Sequence, residues 1–239
     1  MLIKNFDILS KSPQRKICLD LIETALFSIQ PENVIPKNFS LKQNLLTIQN
    51  EKIDLKSYER IFLLGFGKGS AGLAKEIENL IGNFLTEGYV IDLEPQSFSK
   101  IEFTQGTHPL PSQQNLTFTQ KAMKQFSLPR RSPREAGKAG NLTMKDLIII
   151  VIAGGGSAMF VNPYKISLEK LIETNKSLLK SGANITEMNI VRKHLDIVKG
   201  GGLAKLLYPA QIITMISSDV PGNDLSTIAS GPTVKDATT

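Results

Sequence analysis

Residues 146–157 read DLIIIVIAGGGS. The run Asp146–Ile152 is the most apolar stretch of the chain, and it shows no alternation of apolar and polar residues. A strand of that kind is buried on both faces, which is the habit of a parallel sheet covered by helices. It runs into Ala153-Gly154-Gly155-Gly156-Ser157-Ala158. Consecutive glycines leave backbone N–H groups open to an anion, and the Ser157 hydroxyl adds a donor. The spacing GxSxG is absent, so we read an anion-cradling loop rather than a nucleophile elbow.

The same design recurs upstream. Arg60–Gly65, RIFLLG, reads as a strand and runs into Gly65-Phe66-Gly67-Lys68-Gly69-Ser70-Ala71-Gly72 and then a helix, Leu73–Ile81. Glycines admit an anion to the backbone, the helix start offers free N–H groups, and Lys68 adds a point charge. The spacing is neither the Walker pattern nor GxGxxG. A plain tight turn carrying an exposed lysine is the competing reading. Further strands are expected at Thr86–Asp92, Ile101–Gly106 and Ile212–Ile216, with helices at 113–127, 167–181, 184–198 and up to Leu207. Strands alternating with helices predict a three-layer α/β fold with a mostly parallel sheet. Toward the N-terminus, residues 13–30 have helical spacing and stop at Pro31. Short strands follow near Phe39–Leu41 and Leu45–Ile48.

Chemistry-bearing residues cluster after these elements. An open α/β sheet places its ligands at the carboxyl ends of the strands, and Asp219 and Asp224 lie in the loop after the last one. Such carboxylates hold Mg²⁺ or accept a proton from a hydroxyl. Asp224 serves equally well as a helix cap before Leu225-Ser226-Thr227-Ile228. Asn189, Arg192 and Lys193 share a helix face at i, i+3 and i+4, shortly before Lys199 and Gly200-Gly201-Gly202. A solvated basic face is the bland alternative. His108, between Thr107 and Pro109, is either a loop ligand or part of a turn.

Composition narrows the function classes. The chain has 239 residues, 41% of them hydrophobic, which suffices for a large core. The single cysteine, Cys18, permits no internal disulfide and suits a cytoplasmic location. No apolar run reaches membrane-helix length, and no signal peptide is expected. The net charge is +6, but aromatics are only 6% and no basic stripe is interleaved with them, so nucleic acid is not the expected partner. Much of the positive charge sits in 128–145, a Pro- and Gly-rich basic segment that reads as an inserted surface loop.

Taken in order, the motifs carry a resemblance. They are Gly67-Lys68-Gly69-Ser70, Thr107-His108-Pro109-Leu110-Pro111, Gly154-Gly155-Gly156-Ser157-Ala158, Val191-Arg192-Lys193-His194-Leu195 with Lys199-Gly200-Gly201, and Ser218-Asp219-Val220 through Ile228–Thr233. Together, from about residue 13 to the end, the chain resembles the amino-terminal domain of the type II glycerate kinases, the glycerate 2-kinase or MOFRL family. The resemblance implies a Rossmann-like lobe over residues 1–239. It implies ATP-dependent phosphorylation of D-glycerate, usually at the 2-hydroxyl, with Mg²⁺. Lys68 matches the family lysine that contacts phosphate or substrate, and Asp219 the aspartate that acts on the substrate hydroxyl. Gly154–Ser157 and Asn189–Lys193 match cleft-lining segments.

This sequence departs from the family pattern at Gly202, where an arginine is usual. It also lacks the family's smaller carboxy-terminal domain, so the chain is expected to be the larger lobe, inactive or incomplete alone. A separate carboxy-terminal domain or a second copy is the expected macromolecular partner. The alternatives are a non-catalytic nucleotide- or anion-binding remnant and a hydroxypyruvate reductase, for which Asp92 is the available acid at the end of the second strand of the sheet.

Overall fold

The computed structural model describes residues 1–126 and 142–238. Most of the basic segment at 128–145 therefore lies outside the described residues. No helix among the described residues is long and apolar enough to cross a membrane. The chain divides into two units, Met1–Asp54 and Leu55–Thr239, where the sequence reading draws no boundary.

The first unit begins with helices α1 (Phe6–Leu9), α2 (Pro13–Ser28) and α3 (Pro31–Asn38). Ser12 caps α2 by accepting from the Arg15 amide at 3.3 Å, with Pro13 in the first helical position. Pro31 does more than stop α2, since it opens α3. Strands β1 (Phe39–Lys42), β2 (Leu45–Ile48) and β3 (Glu51–Asp54) then form an antiparallel meander. The sequence reading places the first two and not β3.

The second unit holds a five-stranded sheet in the order β6-β5-β4-β7-β8, every neighbouring pair parallel. Its elements are β4 (Arg60–Phe66), α4 (Ser70–Ile81), β5 (Glu87–Asp92), β6 (Ile101–Gln105), α5 (Gln113–Phe126), β7 (Asp146–Ile152), α6 (Gly156–Met159), α7 (Leu168–Lys180), α8 (Ile185–His194), α9 (Gly202–Leu207) and β8 (Gln211–Ile216). Strand β7, between the central β4 and the edge strand β8, is buried along its whole length, as its unbroken apolar run requires.

Alternate residues of the strands face opposite layers. Phe62, Leu64, Phe66, Ile148, Ile150 and Ile152 join one apolar cluster with Phe118 and Phe126 of α5 and Leu203 and Leu207 of α9. Helix α4 lies outside that cluster and buries Ala74, Ile77 and Ile81 against the other face. Helix α8 ends at His194, short of the expected 198. Asp196 draws the chain out of the helix by accepting from the Asn162 and Val198 amides, each at 3.1 Å.

An ion pair ties the starts of the neighbouring strands β4 and β7. Arg60 donates twice to Asp146, at 2.7 and 2.8 Å, and the Asp146 side chain is fully buried. Burial alone would raise the Asp146 pKa. The hydrogen bonds from Arg60 and from the Thr143 amide outweigh it and hold the carboxyl below its ordinary range. Because the native pKa is depressed, this stabilisation is present above the unfolded value of about 3.9 and is lost as pH falls through the native one. Breaking a buried pair leaves an uncompensated charge. Asp146→Ala is therefore expected to lower unfolding stability by about 3–5 kcal/mol in urea titrations at neutral pH. The deficit should shrink on acidification, and a constant deficit down to the acid limb would contradict this role.

Candidate functional site

The loops that follow β4 and β7 are fastened to each other. Ala153 N–H donates to the Phe66 carbonyl at 3.0 Å, and Lys68 N–H donates to the Gly154 carbonyl at 2.7 Å. Gly67 sits between them at φ +106°, where a Cβ would stand 2.3 Å from the Ala153 oxygen. Only glycine lets the two backbones come this close.

This contact gathers three side chains from separate parts of the sequence. Lys68 Cε and Asp219 Oδ2 lie 3.7 and 3.9 Å from the point where a Gly154 Cβ would be. The His108 ring lies 2.6 Å from the corresponding point of Gly155, and Lys68 Cε lies 3.3 Å from it. Lys68 has no carboxylate partner within salt-bridge distance among the described residues. Burial of the His108 ring and then the nearby Lys68 charge both lower the His108 pKa, favouring the neutral imidazole. A cation, a neutral imidazole and a carboxylate thus line one backbone edge.

Asn115 positions the His108 loop. Fully buried in α5, it accepts from the Thr107 amide and donates to the carbonyls of Thr107 and Ala158, each at 2.9 Å. The sequence reading missed it. The available signal is an amide in line with Phe118, Thr119, Ala122 and Phe126 on the buried face of an amphipathic helix. Such a residue needs partners in the core.

Beside His108 and Gly155 a pocket of about 410 Å³ opens between the 108–111 loop, α6, α7 and α8. Arg192 reaches it half-buried, with its Nε donating to Asn175 at 2.9 Å. Burial lowers the Arg192 pKa from the usual guanidinium range. Asn175, on the neighbouring helix, is a second residue the sequence did not single out. The Asn189–Lys193 face is not a solvated one, because both of those residues are buried.

The structure shows what the other sequence-predicted site residues touch. The start of α4 is not an open anion cradle: Asp92 Oδ2 accepts from the Gly69 and Ala71 amides, each at 2.9 Å. Ser70 is fully buried, and its hydroxyl donates to the Ile91 carbonyl. Lys193 is buried, and its ammonium pairs with Asp236 at 3.1 Å. Lys199 lines the pocket but is closed by Asp196 at 2.7 Å and the Phe160 carbonyl. Asp224 is exposed and accepts from the Ser226 amide and the Thr227 hydroxyl, so it closes its own turn. No group of three or more His, Cys, Asp or Glu converges among the described residues, so no metal shell forms around it.

Gly156 is buried, and Ser157 Oγ lies 2.9 Å from Ser230 Oγ. The amides of Gly200 and Gly201 donate to the carbonyls of Ser230 and Gly231. This anchors the 228–232 segment against the start of α9. Gly202 has its own reason, since a Cβ there would stand 1.9 Å from the Ile197 oxygen.

Three comparisons bear on this arrangement. A family model described as "Domain of unknown function (DUF4147)" matches residues 17–239. The glycerate 2-kinase of Picrophilus torridus is 35% identical over 235 residues, covering 97% of this chain and 51% of that protein. A putative hydroxypyruvate reductase of Agrobacterium vitis is 37% identical over 183 residues, covering 75% of this chain and 39% of that protein. The crystal structure of the PH0495 protein from Pyrococcus horikoshii superposes with a TM-score of 0.79 at 32% identity, covering 94% of this chain and 48% of the other. The chain thus spans about half the length of the curated relatives it matches.

The Lys68–His108 proximity yields a measurable consequence. The His108 ring is expected to titrate below the ordinary histidine value of about 6.5 by NMR. Lys68→Met should raise that midpoint, and an unchanged midpoint would contradict the proximity.

Proposed function

The chain belongs to the DUF4147 family, the amino-terminal part of glycerate 2-kinases, and on that premise we propose that it forms the larger lobe of a D-glycerate 2-kinase. The observation that carries the reading is that Lys68 and Asp219 both come within 4 Å of the same point beside Gly154. Phosphoryl transfer asks little covalent chemistry of a protein and much positioning and charge neutralisation. Asp219 accepts the proton of the glycerate 2-hydroxyl. The freed oxygen forms a bond to the terminal phosphorus of ATP, the bond to the bridging oxygen breaks, and ADP leaves. Lys68 neutralises charge on the transferring group throughout. His108, held neutral, offers a hydrogen bond without adding a second cation beside Lys68.

Mg²⁺ is the usual companion of ATP, and it keeps substrate phosphates and water as most of its ligands. The described residues gather no group of three or more His, Cys, Asp or Glu for it. The remaining half of the longer relatives is the natural source of an opposing wall for this cleft. The reductase reading gains nothing from the geometry. Asp92, the acid that a dinucleotide ribose would require, is spent on the Gly69 and Ala71 amides and is almost completely buried.

The test is ATP-dependent phosphorylation of D-glycerate, with the chain alone and supplemented with the carboxy-terminal half of a longer relative. Asp219→Asn is expected to lower turnover by about 10²–10⁴-fold, the usual worth of a general base. Near-wild-type turnover would remove Asp219 from the chemistry. A folded chain that transfers no phosphate in either format would remove the kinase reading.

A further inference from the structure

Helix α2 turns its apolar side outward. None of its residues is buried, and only Leu19 and Glu23 are half-buried. Glu23 faces its own unit, where it accepts from the amides of Leu2 and Ile3. Ile17 and Leu21, by contrast, are 61% and 66% exposed, and Ile22 and Leu26 are exposed as well. A helix of this length draws most of its stability from packing its apolar stripe against something. Within its own unit α2 does the reverse.

The stripe is continuous. At helical spacing Ile17, Cys18, Leu21, Ile22, Ala25 and Leu26 share one half of the helix, and Lys16, Asp20 and Glu23 fall on the other. Cys18, Ile22, Ala25 and Ile29 step by four, three and four residues, the spacing of a seam between two helices. Half of the exposed large apolar side chains among the described residues lie between Met1 and Ile29. The exposed apolar surface of this unit is therefore on the order of the 800 Å² that each partner of a standard interface covers. Monomers rarely leave so much open.

Charge selects the occupant. A helix that lies on a membrane carries Lys and Arg on its polar face. The polar face of α2 sets Lys16 against Asp20 and Glu23, so it has no basic excess to offer anionic lipid. The chain has a net charge of +6, and two copies repel wherever charged surfaces meet. The stripe is uncharged, so copies meet there without that penalty. A twofold contact sets one patch against itself, and aliphatic ridges fit the grooves of an identical helix.

We propose that α2 is a self-association surface: two copies of the chain pack their α2 stripes together about a twofold axis, with Leu21 and Ile22 at the centre. The assignment concerns the first unit alone and is independent of the kinase reading.

The experiment reads molecular mass by light scattering on the purified chain at micromolar concentration. It also reads the rate at which N-ethylmaleimide modifies Cys18, the single cysteine, exposed on the stripe within one chain. Wild type is expected at twice the mass of one chain. Leu21→Gln and Ile22→Gln change exposed side chains, so both are expected to keep the wild-type circular dichroism while weakening the dimer by at least about tenfold. Leu206→Gln, exposed on α9 in the second unit, is expected to leave the dimer unchanged. Cys18 is expected to react more slowly in the wild-type dimer than in either α2 variant. A monomeric wild type, folded α2 variants that stay dimeric, or a dimer whose Cys18 reacts as fast as in those variants would overturn the proposal. A monomer that protects Cys18 only when anionic vesicles or the carboxy-terminal half of a longer relative is added would assign the stripe to that partner and overturn it as well.

Discussion

The approach of Gly67 to the Ala153–Gly154 backbone is the contact on which the rest of the site depends. Two neighbouring parallel strands end side by side, and their loops would ordinarily be held apart by side chains. Here a backbone with no Cβ rests against the Ala153 carbonyl, and two main-chain hydrogen bonds close the seam. Lys68, whose amide makes one of those two bonds, is thereby delivered over the glycines that follow β7. Asp219 arrives from the adjacent strand β8 and His108 from the loop after β6. The sheet order therefore does the assembling, and the glycines remove the obstruction.

Near that seam several charged groups are satisfied within the fold. The buried cations Lys193 and Lys199 each meet a carboxylate, as interior charges must. Asp92 fills the helix start that resembles a phosphate cradle in sequence. What remains uncompensated is thereby more telling. Lys68 and Arg192 have no acidic partner within salt-bridge distance among the described residues.

Much of the fold was legible because it is written in local periodicity. The unbroken run of β7 announces a strand covered on both faces, and the glycine-rich turns after β4 and β7 mark the carboxyl ends where ligands gather. Strand β3 was not legible: Glu51–Asp54 holds one apolar residue, Ile53, and becomes a strand by pairing with β2. The candidate site was legible as residue types but not as partnerships. Nothing in the spacing of Lys193 and Asp236, or of Ser157 and Ser230, says that they meet, because long-range contacts leave no local period. Asn115 and Asn175 were missed for the same reason. Their importance lies in what they hold, and the groups they hold come from other elements.

Gly202 shows the limit of arguing from a motif position. As a departure from a family pattern it suggests a lost anion ligand. As a position in this fold it is a place where the Ile197 carbonyl leaves no room for a side chain.

The most direct measurement is a crystal structure of the chain with a non-hydrolysable ATP analogue and D-glycerate bound together. The expected result places a glycerate hydroxyl about 2.6–3.2 Å from the Asp219 carboxylate, with the terminal phosphate against Lys68. Both ligands bound away from Gly154, with Lys68 and Asp219 left facing solvent, would contradict the claim that this edge is where phosphate is transferred.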